Sequence, residues 1–188
     1  MRTSNLPRRS LVVRATLLTL LAVGLTAGSI EAQSFTTRGF AGYGTSRGYG
    51  FGVGADAGVQ FPFLFGIPAV AGVWGTYFAG TEFFDEELQS NVEQQITMYG
   101  VEGASVWIDE AVFLRGSGQL GAARIRHEIE GESATTETKF MLSGGIMVGK
   151  RWGNFVLSIE PVLPLVFGSD YTGAGFAVFL NLVYVKAP

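Results

Sequence analysis

Between Tyr49 and Phe61 the chain reads YGFGVGADAGVQF, with an apolar side chain at every odd position and Gly, Asp or Gln at every even one. A β-strand turns successive side chains to opposite faces, so this segment has one apolar face and one small or polar face. The same period of two recurs along the chain, whereas helical apolar spacing is nowhere sustained and Gly, a poor helix former, occurs 27 times. Eight strands are expected: Phe35 to Tyr43, Tyr49 to Phe61, Ile67 to Tyr77, Ile96 to Trp107, Val112 to about Arg124, Lys139 to Val148, Phe155 to Leu165 and Gly175 to Tyr184. Pro161 and Pro164 should cost the seventh strand ladder bonds, because proline has no N–H to donate.

The first residues carry Arg2, Arg8, Arg9 and Arg14, then the apolar run Ala15 to Leu25, then small residues ending at Ala32. This is the layout of a cleaved secretory signal over residues 1–32, with Ile30 and Ala32 at the −3 and −1 positions, leaving residues 33–188 as one domain. Losing four arginines and Glu31 takes the formal net charge from −3 to −6, which argues against nucleic acid as a partner. There is no Cys, so disulfides and thiolate metal sites are out of reach.

Connections after the second, fourth and sixth strands are short, and those after the third and fifth are long and acidic, as in an up-and-down meander. Aromatic residues collect toward both strand ends. One set is Phe35, Phe61, Phe63, Phe65, Trp107, Phe113, Trp152, Phe155 and Tyr184. The other is Tyr43, Tyr49, Tyr77, Tyr99, Phe140, Phe167, Tyr171 and Phe176. Two aromatic belts bounding an apolar band are what the two interfaces of a bilayer select. Strands with lipid-facing exteriors must close, because hydrocarbon offers no partner to an open edge. The expected fold is therefore all-β: an eight-stranded antiparallel up-and-down transmembrane β-barrel after a cleaved signal peptide. Eight strands leave a lumen filled by side chains.

On this pattern, residues 33–188 resemble the small outer-membrane barrels of Gram-negative envelopes: the OmpA transmembrane domain, OmpX and opacity-type proteins. The last strand, GFAVFLNLVYV, is similar to the C-terminal signal read by the barrel-assembly machinery, although the chain ends VKAP where that signal usually ends in Phe. The resemblance implies a non-enzymatic protein of the cell outer membrane. Its partners would be outer-membrane lipids and lipopolysaccharide, the assembly machinery during biogenesis, and an unknown surface ligand. It implies no cofactor.

Inward parity assigns Arg38, Asp56, Glu102, Arg115 and Glu160 to the lumen, with Lys139 nearer the long-connection end. The expected arrangement is one structural ion-pair network, since unpaired buried charge is costly; a gated ion path is the alternative. The third connection holds Glu82, Asp85, Glu86, Glu87 and Glu93 and the fifth Glu128, Glu130, Glu132 and Glu137. These read as solvated loops, with Glu82, Asp85, Glu86 and Glu87 able to bind a divalent cation at most weakly, because the regular calcium-loop spacing is absent. No metal site is expected.

His127, the single histidine, reads as a surface residue in a polar loop. Outer-membrane lipid hydrolases use a His-x-Ser arrangement, but Ile129 stands where the Ser would be. A soluble lipocalin-like barrel with an apolar ligand would need every apolar face turned inward. The glycines of GYGFGVGADAG lack phosphate-loop spacing and a following helix.

Overall fold

A computed structural model describes residues 34–185 apart from 47, 63–67, 87–88, 109–111, 130–132 and 169–172. The expected signal at 1–32, together with Phe63, Phe65, Glu87, Glu130, Glu132, Tyr171 and the terminal Lys186 to Pro188, lies outside the described residues.

The strands are β1 (Ser34–Gly44), β2 (Gly50–Pro62), β3 (Pro68–Phe78), β4 (Glu82–Asp85), β5 (Ser90–Ile108), β6 (Val112–Ile129), β7 (Thr135–Trp152), β8 (Phe155–Phe167) and β9 (Ala177–Val185). Every adjacent pair is antiparallel, and β1 pairs with both β2 and β9. With β3 pairing β5, the sheet closes on itself. β3 and β4 pair with the same strand one after the other, so they make a single wall position and the barrel is eight-stranded. Three residues, 79–81, lie opposite two on β5 between Phe78↔Ile96 and Glu82↔Glu93. That mismatch is a bulge, which sharpens the local twist and re-aims the wall. It is centred on Gly80 with φ 83°.

Local chemistry sets the turns. Trp152 pairs with Phe155 across a two-residue turn, Gly153–Asn154, with Gly153 at φ 59°. The proline expectation is met in the ladders: the β7–β8 register lacks the pairs opposite Pro161 and Glu160. The β8–β9 ladder ends at Val162, short of Pro164.

Outward faces are apolar around the wall. Val53, Val73, Val101, Leu120, Ile146, Ile159, Leu163, Leu180 and Leu182 are all exposed. So are the rims Phe35, Trp107, Trp152 and Phe155 at the tight-turn end and Tyr43, Phe51, Tyr77, Tyr99, Phe140 and Phe167 at the other. Phe155 and Phe167 bound one strand, and at about 3.3 Å per residue and about 40° of tilt they stand about 30 Å apart across the barrel's height, close to the span of a bilayer's hydrocarbon. The lipocalin arrangement is the reverse of this one.

Several expectations are corrected. Tyr49 is fully buried rather than outward, because Gly48 and Gly50 both take positive φ and break the alternation just before β2. Its ring caps the lumen edge-to-face on Phe78, centroids 5.0 Å apart. Phe113 belongs to no belt; it is odd-numbered on β6, where even-numbered Leu114 faces out, and so shares the buried parity of Arg115. Trp74, even-numbered on β3 between outward Val73 and half-buried Gly75, faces inward. The two long acidic connections are largely strand: β5 starts at Ser90 and not at Ile96, β6 runs to Ile129, and β7 begins at Thr135. Above the band the outward face needs no apolar residues, so the pattern that marks a strand fades while the ladder continues.

Candidate functional site

The lumen is built in three layers. At the long-strand end Phe40, Tyr49, Trp74, Phe78, Met98, Met141 and Phe179 form an apolar cluster. At the tight-turn end Val70, Val106, Phe113, Met147, Val156 and Val183 form a second. Charge lies between them. Each charged residue arrives there by parity on its own strand, Arg38 on β1, Asp56 on β2, Glu102 on β5, Arg115 on β6 and Glu160 on β8, and all are buried.

Arg38 is the hub. Its Nε donates to Asp56 Oδ2, its Nη1 to Glu160 Oε2, and its Nη2 to Glu102 Oε2 at 3.1 Å. The guanidinium also lies over the Phe40 ring, 4.7 Å from the centroid. Arg115 Nη2 donates to Glu102 Oε1, and its Nη1 lies 3.6 Å from Asp56 Oδ2. A planar guanidinium presents five donors in fixed directions, which is why a three-way hub of this kind takes Arg rather than Lys. Neutral groups complete the layer: Gln119 donates to Glu102 at 2.9 Å and Ser117 to Glu160 at 3.1 Å, while Arg38 donates weakly to Asn181 at 3.4 Å. Gln119, Ser117 and Asn181 share the inward parity of their charged neighbours, which is the signal that could have placed them in the network.

Lys139 does not join it. Its Nζ bonds Glu137 Oε2 at 2.9 Å on its own strand, where the register sets the two opposite Ala123 and Ile125 of the upper apolar cluster, so the reading that put it with the lumen charges is corrected. Glu137 also meets His127, whose Nε2 lies 3.3 Å from Glu137 Oε1. His127 is buried on the inward face of β6 rather than exposed in a loop, because β6 continues through it. The four candidate cation ligands do not converge. Glu82 and Asp85 lie on opposite faces of β4, Glu86 sits in the following turn, and Glu87 is outside the described residues. No cluster of three metal-ligating side chains occurs among the described residues.

This arrangement holds the wall together but leaves little room for transport. One cavity of about 20 Å³ lies beside Arg38, Trp74, Ser143 and Glu160, and another of about 10 Å³ beside Thr36, Val106 and Arg115. Either suits about one water molecule. Hydrated ions would have to part both apolar clusters and the ionic layer, so the folded protein in a planar bilayer is expected to show no steady conductance. Reproducible single-channel steps in dilute salt would contradict the three-layer filling.

The solved structures most informative for this geometry share its architecture at low identity. A major outer membrane protein from Thermus thermophilus superposes with a TM-score of 0.64 at 10% identity, covering 83% of this chain and 100% of that one. The fold is that of a small outer-membrane barrel. Neisserial surface protein A gives a TM-score of 0.57 at 12% identity over 84% of this chain and 100% of the other. The N-terminal barrel domain of Pseudomonas aeruginosa OprF gives 0.51 at 15% identity over 81% and 97%. No family model and no curated protein matches the sequence. What carries across from these barrels is wall geometry, so the roles of Arg38 and its partners rest on the contacts described above.

Proposed function

We propose that the protein is an exported, non-enzymatic integral barrel of the outer membrane, whose long strands carry an acidic outward-facing end for structural or surface-interaction roles. The observation that supports this most directly is the closed wall with its apolar side chains outside and its charges inside, bounded by aromatic rims. Such a surface in water would be a large unpartnered apolar patch, and hydrocarbon is the solvent that matches it. Export through the signal over residues 1–32, assembly through the last strand and contact with outer-membrane lipids belong to the same reading. His127 beside Glu137 lacks the serine at the expected spacing, and nothing in the geometry favours a hydrolase.

The test is mobility in SDS with and without boiling, on the outer-membrane fraction. A folded barrel of this kind is expected to migrate apart from its boiled form in that fraction. A single band in the soluble periplasmic fraction would reject the membrane assignment.

A further inference from the structure

On the outward face of β5, β6 and β7 the register stacks directly opposed residues into rows, and the rows change chemistry with height. Val101, Leu120 and Leu142 form an apolar row, followed by Tyr99, Ala122 and Phe140. Next come Thr97, Arg124 and Thr138, then Gln95, Arg126 and Thr136. The next row holds Glu93 and Glu128, with Glu82 of β4 opposite Glu93. Each row is two residues further along the strand, so at about 40° of tilt the two arginines lie about 5 Å and about 10 Å above the aromatic row. Beyond the hydrocarbon of a bilayer, that is the depth of headgroup phosphate.

Arg124 is exposed, and no acid lies within ion-pair distance of it among the described residues. It stands between two exposed threonine hydroxyls. Arg126 donates to Glu128 at 3.1 Å, a half-exposed pair of the kind that contributes little on a surface and is readily exchanged for a stronger anion. The other described cations are elsewhere: Arg38 and Arg115 in the lumen, Lys139 on the inward face, and Lys150 and Arg151 at the tight-turn end. Among the described residues, the outward cations at this height are therefore gathered on one strand.

We propose that this wall is a binding site for the phosphate of an anionic lipid in the outward leaflet. Arg124 grips the phosphate, Arg126 is its second cation, and Thr97 and Thr138 supply hydroxyl donors. A guanidinium can offer two parallel N–H groups to phosphate oxygens while its stem lies along the aromatic row below. The proposal rests on the membrane reading above, and the acidic row beyond the arginines would repel a phosphate placed any higher.

The experiment places the protein in nanodiscs of zwitterionic lipid and titrates diphosphorylated lipid A, or the same lipid with its phosphates removed, reading bound lipid by native mass spectrometry. R124Q/R126Q is expected to bind the phosphorylated lipid at least about tenfold more weakly than the unaltered protein, with R124K intermediate and K150Q/R151Q unchanged. The dephosphorylated lipid should bind the unaltered protein no better than the phosphorylated one binds R124Q/R126Q. Equal affinity of the unaltered protein and R124Q/R126Q, or equal binding of the two lipids, would overturn the site while leaving the barrel in place. A protein that fails to enter nanodiscs and shows no heat-dependent mobility would overturn the membrane reading itself.

Discussion

Arg38→Ala is expected to cost about 3 to 5 kcal/mol of barrel stability, because it removes one partner from each of three buried carboxylates at once. Asp56 and Glu102 keep Arg115, but Glu160 is left with only the Ser117 hydroxyl among the contacts described. Arg115→Ala should fall below this, at about 2 to 4 kcal/mol, since Glu102 and Asp56 both retain Arg38. Arg124→Ala, an exposed change with no ion pair to lose, should stay within about 0.5 kcal/mol. Reversible urea unfolding from lipid vesicles measures all three. Similar losses for Arg38→Ala and Arg124→Ala would mean that the lumen charges do not act as one network.

The three-layer lumen also shows how far the sequence could be read. Alternation alone places eight strands and the inward side of Arg38, Asp56, Glu102, Arg115 and Glu160, because a one-residue slip would put charge into lipid. It could not tell that apolar residues fill both ends of the lumen. Inward Phe40, Trp74, Phe113 and Phe179 interrupt the polar face, and nothing local distinguishes an aromatic ring that plugs a lumen from one at an interface. Alternation puts Tyr49 outside, but two positive-φ glycines turn it inward, a conformational choice that pattern does not record. His127 and the acidic connections read as loops in the sequence because a strand rising out of a membrane loses its apolar face while keeping its hydrogen bonds. Lys139 shares the parity of the lumen charges, but height along the strand, rather than parity, separates it from them.

Gly80 is the position where local backbone and neighbouring chain constrain the residue together, and Gly80→Ala is expected to cost about 3 kcal/mol or to prevent the extended wall from forming. At φ 83° any L side chain is strained, and a Cβ there would fall 1.3 Å from the Gln94 carbonyl oxygen. That contact is with backbone, so no rotamer change relieves it. Gly153 separates the two causes. It also has positive φ, 59°, but a Cβ there meets nothing within 4 Å, so Gly153→Ala should pay only the conformational term of about 1 to 2 kcal/mol. If the two substitutions cost the same, conformation alone explains the bulge. A larger loss at Gly80, with amide exchange quickened at Ser90 to Gln95, would show that the close approach to Gln94 is what lets β3 continue into β4 and the wall rise above the aromatic rim.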